Sequence, residues 1–286
     1  MEPPRSNFWV MDLLSPLATA DAPPPPPLRR EVALHLLVGA VSVVAAGIVL
    51  AVLLDLPDAY AVGCAIVYLA VAAVAATGLD RHGNGDARHR GWGHANRVTL
   101  GRGVLIALVG GAMVVPTALD TGDLWVLSVI AVIALALDGV DGPLARAQRM
   151  TSPYGARFDM ELDTLLTLVL ALLLWRAGEV GVWVLALGLL RHVFVLAGMV
   201  LPALTAPLPF SQRRRIVCVI QIAVLAAGLT PVVAAPVTGF ATGAALALLL
   251  FSFLVDTVWL LRQGDPTNRR NPAGGTADGA CLRNQS

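Results

Sequence analysis

The sequence predicts an all-α integral membrane fold with eight transmembrane helices, on three observations. The 286 residues are 57% hydrophobic and only 14% charged, whereas a water-soluble domain carries about 25% charged residues. The apolar residues gather into eight runs of spanning length. The basic residues fall almost wholly on alternate connections between those runs.

The elements follow in chain order. Residues 1–28 are rich in Pro, Ala and Ser and end in Pro23 to Pro27, which predicts a disordered or polyproline-II tail. The short apolar stretch from Phe8 to Leu14 is interrupted by Asp12, so no secretory leader is expected. Two helices are expected within 29–80, over 31–54 and 59–79, followed by a polar connection at 81–95. Six more occupy 96–262, over 97–119, 122–142, 154–176, 180–203, 213–234 and 237–262. Hydrocarbon offers backbone groups no outside partner, so each run is read as a helix. The polar, Gly- and Asn-rich stretch 263–286 is expected to be a second disordered tail.

Every basic residue other than histidine is arginine; the chain has no lysine. Arg29 and Arg30, then Arg81, Arg88, Arg90 and Arg97, then Arg146, Arg149 and Arg157, then Arg213 to Arg215, then Arg262 mark one side. The opposite connections hold only Arg176. The bias puts both termini in the cytoplasm of a multi-pass cell-membrane protein. A net charge of +1 and 6% aromatic residues give neither the basic field nor the stacking platform that nucleic acid requires. Cys64, Cys218 and Cys281 show no zinc or disulfide spacing. There is no internal repeat of the kind that builds many transporters.

The chemistry-bearing residues collect where the fourth run ends and the fifth begins. Asp138 and Asp141 are spaced i, i+3, and Asp159 and Asp163 i, i+4, so each pair shares a helix face. A short connection makes the two helices antiparallel neighbours, and four carboxylates can converge at the cytoplasmic side. An aspartate at mid-bilayer costs about 2.5–3.5 kcal/mol on insertion scales, and crowded carboxylates repel. A divalent cation removes both problems, and hard oxygens with no His or Cys beside them suit Mg²⁺ or Mn²⁺. Gly142 and Gly155 let a ligand approach the backbone, Ala145 clears space one turn on, Arg146 offers a fork for phosphate, and Pro143 is expected to end or kink the helix just past Asp141.

The string from Asp138 to Asp163 reads D-x2-D-G-x2-A-R-x8-G-x3-D-x3-D, eight fixed identities over 26 positions. It resembles the signature of the CDP-alcohol phosphatidyltransferase family. The resemblance covers about 96–262 and implies a six-helix catalytic core preceded by two extra helices. It implies that Asp138, Asp141 and Asp159 bind metal, that Asp163 is the general base and also touches metal, and that Gly142, Ala145, Arg146 and Gly155 surround the CDP group. The reaction implied is attack of an alcohol on the lipid-side phosphorus of a CDP-linked lipid such as CDP-diacylglycerol, releasing CMP. Membrane lipids, and a second copy in a homodimer, are the other expected partners.

Asn96, Thr99 and Arg102 lie at i, i+3, i+6 and are similar to the opening of the family's first core helix, which adds Asn96 and Thr99 to the CDP side. Asn96 also reads as a helix N-cap. Arg102, Arg191, Arg213 and Arg215 are candidates for binding a phosphorylated acceptor. For Arg191, pairing with one of the aspartates is the alternative reading. Gln221 loosely resembles a family glutamine, and Asp256 is expected to pair with an arginine. A prenyl-diphosphate-type membrane transferase would leave the Gly-x2-Ala-Arg element unexplained. A transporter with an aspartate cation site would need a path open to both faces, whereas the aspartates gather on one side. An inactive homologue fits poorly with a complete signature.

Overall fold

A computed structural model describes residues 26–82, 92–115, 119–147, 153–201 and 211–264. Eight α-helices and no strand occur among them: α1 Pro26–Leu53, α2 Ala59–His82, α3 His94–Gly111, α4 Thr121–Ala147, α5 Pro153–Arg176, α6 Ala186–Val200, α7 Gln212–Gly228 and α8 Ala235–Gly264. Short 3-10 turns at Ala112–Val114 and Val182–Leu185 extend α3 and precede α6. Residues 1–25, 83–91 and 265–286, which include most of both expected tails and of the 81–95 connection, lie outside the described residues.

One helix answers each of the eight apolar runs, but several boundaries differ for physical reasons. α1 starts at Pro26, inside the stretch expected to be a tail; proline is tolerated in the first turn, where its missing N–H would have no partner anyway. α4 does not stop at Asp141 but continues through Pro143 to Ala147. The residue that loses its hydrogen bond there is Gly139, which is exposed with open space around it. The sixth run is not one helix; a 3-10 turn occupies Val182–Leu185 before α6 begins. Tight turns are closed by residues at positive φ, Asp55 at 51° and Gly178 at 74°, left-handed positions that end helices.

Five helices are long and apolar enough to cross a membrane, with spans at Leu28–Leu53, Ala59–Thr77, Ala95–Val114, Thr121–Gly139 and Ala235–Leu261. The others differ by composition or length. α5 carries Arg157, Asp159, Glu161 and Asp163 in its first half, α6 has 15 residues, and α7 has 17 with Arg213 to Arg215 in its first turn. The burial pattern is that of a protein dissolved in lipid. In α3, 61% of the apolar window is buried inside the protein, against 22% in α1 and α8. α1 and α8 instead expose rows of large apolar side chains, among them Leu37, Val41, Phe240 and Leu254.

α3 and α5 form the centre of the bundle. α3 packs against α1, α2, α4 and α5, and α5 packs against α2, α3, α6 and α7. The α2–α3 crossing depends on small residues. A Cβ on Gly111 would lie 2.3 Å from Cys64 Sγ and 2.9 Å from the Tyr60 carbonyl oxygen. A Cβ on Gly63 would lie 2.8 Å from the Gly111 carbonyl. Close backbone approach of this kind is how helices associate where lipid removes the hydrophobic driving force. Tyr60 Oη donates to the Leu108 carbonyl at 2.7 Å across the same crossing.

A polar network then ties α1 and α2 to the starts of α3 and α5. Glu31 on α1 accepts from Arg97 Nη2 at 2.9 Å and from the Trp92 backbone N–H at 3.3 Å. Trp92 Nε1 donates to Tyr154 Oη at 3.4 Å, and Tyr154 Oη donates to the Ala75 carbonyl on α2 at 3.0 Å.

Two glycines of α3 should respond with opposite sign. Gly111→Ala meets backbone and should lower stability by about 1–3 kcal/mol. Gly101→Ala meets nothing within 4 Å and should be neutral or stabilising by up to about 1 kcal/mol. Thermal unfolding of the two variants in the same detergent checks the sign.

Candidate active site

Three helices deliver the site. α4 brings Asp138 from its second half, α5 brings Asp159 and Asp163 one turn apart, and α3 brings Arg102. At about 100° per residue, Asp159 and Asp163 point the same way from α5, toward α3 and α4. The three carboxylates meet at one guanidinium. Arg102 is completely buried, at 0% exposure. Its Nη1 donates to Asp138 Oδ1 at 3.3 Å and also to Asp159 Oδ1, and its Nη2 donates to Asp163 Oδ1 at 2.5 Å. Its Nε donates to the Ala134 carbonyl one turn before Asp138, at 3.1 Å.

The convergence expected of four aspartates is therefore seen for the three whose side chains are described. The side chains of Asp141, Gly142, Ala145 and Arg146 lie outside the described residues, although the backbone of all four belongs to the last turns of α4. Gly155 is in the first turn of α5. Asn96, Thr99 and Arg102 share the buried face of α3, at 9%, 4% and 0% exposure. Asn96 is not the N-cap. Gly93 holds that position without any side-chain cap, and Asn96, already inside the helix, donates from Nδ2 to the Trp92 carbonyl at 2.6 Å. Thr99 donates to the Ala95 carbonyl at 3.0 Å.

Arg191, Arg213 and Arg214 are engaged elsewhere. Arg191 does not reach an aspartate. It forms a two-pronged pair with Glu161, at 2.8 and 3.1 Å, and donates to Thr164 Oγ1 at 3.0 Å. Glu161 lies between Asp159 and Asp163 in sequence and so points from the opposite side of α5. A cavity of about 200 Å³ between α2 and α5, lined by Val74, Thr77, Tyr154, Arg157, Phe158 and Glu161, also includes this Glu161 side. Arg213 and Arg214 both pair with Asp256 on α8, at 2.5 and 3.4 Å, as a nearly buried acid in an apolar helix requires. Arg215 is exposed at the start of α7 and lies within electrostatic range of Asp159.

Two contributors were not found by sequence reasoning. Cys218 on α7 approaches Asp163 Oδ2, Sγ to Oδ2 3.8 Å; nothing in its spacing marks it. Glu161 could have been found, because an intramembrane arginine demands a counter-charge and Glu161 is the one acid on α5 outside the aspartate pattern.

One oxygen from each of Asp138, Asp159 and Asp163 lies within 4.8 Å of the others. An all-oxygen donor set this close, with no His in the group among the described residues, suits a hard divalent cation. Three carboxylates meet one guanidinium here, so with all three ionised Arg102 balances one charge and a divalent ion would balance the other two.

A family model described as CDP-alcohol phosphatidyltransferase matches residues 92–258. Neither a curated protein nor a solved structure matches the chain. The matched stretch runs from just before α3 to near the end of α8, with α1 and α2 preceding it. Because it spans more than half of the chain and contains every residue of the aspartate–arginine cluster, the protein belongs to the CDP-alcohol phosphatidyltransferase family, membrane enzymes that depend on a divalent metal and transfer a phosphatidyl group from a CDP-alcohol.

Proposed function

We propose that this protein transfers the phosphatidyl group of CDP-diacylglycerol to an alcohol acceptor, with release of CMP, at a Mg²⁺ site on the cytoplasmic side of the cell membrane. The observation that carries the reading is the convergence of Asp138, Asp159 and Asp163 from two helices on one point. The arginine bias of the connections supports the orientation.

In this reading Asp138, Asp141 and Asp159, with Asp163 at the edge, would hold the cation. When bound, the cation supplies neutralisation of the donor's diphosphate charge and makes CMP a better leaving group. The CDP end lies over Gly142, Ala145, Arg146 and Gly155, with Asn96 and Thr99 on the facing side of α3. Asp163 takes the proton of the acceptor hydroxyl as its oxygen forms a bond to the lipid-side phosphorus. The bond from that phosphorus to the oxygen of CMP breaks, and the electron pair leaves with CMP. Fixing Asp163 at a stated oxygen matters for this step, because a general base must sit within hydrogen-bond reach of the proton it removes. Arg102 and Cys218 hold its two oxygens.

Among the four arginines considered for the acceptor, the ion pairs favour Arg215. Arg102 serves the aspartates, Arg191 serves Glu161 and Arg213 serves Asp256. Arg215 is exposed on the α7 side, within electrostatic range of Asp159. It is proposed to contact a phosphate on the acceptor.

Purified protein with Mg²⁺, CDP-diacylglycerol and a panel of phosphorylated and plain alcohols should release CMP with at least one of them. Diphosphate release from a prenyl donor, with no CMP from any CDP-lipid, would overturn the reading. Asp163→Asn should lower turnover by about 10²–10⁴-fold while Mg²⁺-dependent binding of the CDP-lipid persists; near-normal rates would remove Asp163 as the base. Arg215→Ala should raise KM for a phosphorylated acceptor and leave KM for the CDP-lipid unchanged. Arg191→Ala should act on stability, and a double-mutant cycle with Glu161→Gln should show a coupling of about 0.5–3 kcal/mol. An acceptor-KM effect of Arg191→Ala without that coupling would return Arg191 to the acceptor pocket.

A further inference from the structure

We propose that Arg102 is the built-in counter-charge of the cation site. In this role it is a positioning residue that keeps the three carboxylates assembled when no cation is bound and leaves each of them able to accept one. The inference rests on reading the aspartate cluster as a divalent-cation site. Three observations carry it. Arg102 has no solvent exposure, so its charge must be balanced by its neighbours. All of its guanidinium nitrogens are used, one on the Ala134 carbonyl and two on the carboxylates. Every carboxylate contact is to an Oδ1 atom. A carboxylate has two oxygens and about four acceptor sites, so the Oδ2 atoms of Asp138 and Asp159 are not used by the guanidinium, and Asp163 Oδ2, which Cys218 Sγ approaches at 3.8 Å, keeps a further acceptor site. Arginine and cation are thus not alternatives. The arginine lowers the repulsion among the carboxylates enough for the site to exist empty, and the negative charge that remains attracts one divalent ion. Lysine, a point charge without the planar fork, could not bridge three carboxylates and a carbonyl at once.

The consequence is a fold whose stability depends little on the metal, and a variant in which it depends strongly. The test compares the full chain and Arg102→Gln in the same detergent or nanodisc, heated in EDTA and in increasing MgCl₂, without donor or acceptor. In EDTA, Arg102→Gln should melt roughly 10 °C below the unsubstituted protein, the size expected when a buried ion pair loses one partner. Mg²⁺ should recover most of that loss, so that the shift between EDTA and Mg²⁺ is at least twofold larger in the variant. Arg102→Gln/Asp159→Asn, which removes one carboxylate with the guanidinium, should recover stability in EDTA. An Arg102→Gln variant that melts like the unsubstituted protein in EDTA would overturn the proposal. So would a loss that neither Mg²⁺ nor the second substitution recovers, which is the behaviour of a side chain that only packs. Recovery by the second substitution but not by Mg²⁺ would overturn the cation half alone. If Arg102→Gln does not accumulate, the double variant carries the test, and its own failure to accumulate counts against the proposal. CMP release by the unsubstituted protein does not enter any of these outcomes, so the transferase reading stands or falls separately.

Discussion

Arg102 and its three aspartates set the terms on which the rest of the bundle is built. A guanidinium and three carboxylates taken out of water carry a desolvation cost of several kcal/mol per ion. That cost is met only if the partners come from fixed directions and hold their hydrogen bonds. Here the directions are supplied by α3, α4 and α5. The Ala134 carbonyl joins the cluster to the backbone of α4. These helices cannot slide or rotate independently, because a shift of one turn in any of them would strand an ion in the protein interior. The central placement of α3 and α5 follows from the same constraint. The helices that carry the charges must be those that other helices cover.

The peripheral elements are arranged around that requirement. Lipid gives no hydrophobic drive for one helix to leave it for another, so association depends on close contact and on polar groups that find partners. Gly63 and Gly111 provide the contact between α2 and α3. Glu31, Trp92 and Tyr154 provide the polar links at the end of the bundle where α3 and α5 begin. Asn96 and Thr99 lie in the first turns of that anchored α3, immediately before Arg102. α1 and α2 precede the matched family region, and their contacts brace the two helices that deliver the charged groups.

What the sequence revealed depended on whether the signal was local. The aspartate spacing is local, because two residues three or four apart on a helix share a face in any fold. The eight apolar runs are local too, and each returned as a helix. Helix ends were less legible. Pro143 reads as a stop in water, yet α4 passes through it where the freed carbonyl belongs to an exposed glycine. Long-range partners were the least legible. Arg102 and Arg191 were both visible as arginines in apolar surroundings. That one meets Asp138, Asp159 and Asp163 while the other meets Glu161 is decided by the rotation of α3 and α6 about α5. Cys218 reaches Asp163 by the same kind of juxtaposition, across 55 residues of chain.

α5 shows how one helix can hold two charge systems without mixing them. Asp159 and Asp163 face α3 and α4, and Glu161 faces α6 from the other side. Had Arg191 lain on the aspartate side, it would have cancelled a second carboxylate charge and weakened the attraction for a divalent ion. Its pairing with Glu161 keeps the α6 interface neutral by itself and leaves the aspartate side with an excess of negative charge. Asp256 pairs with both Arg213 and Arg214 at the α7–α8 interface. Arg191 thus has its own acid and Arg213 and Arg214 share one, whereas Arg102 is outnumbered by the carboxylates it meets. Among these arginine clusters, carboxylates exceed guanidiniums at the aspartate site, which is where the chemistry of a charged diphosphate needs a cation to be held.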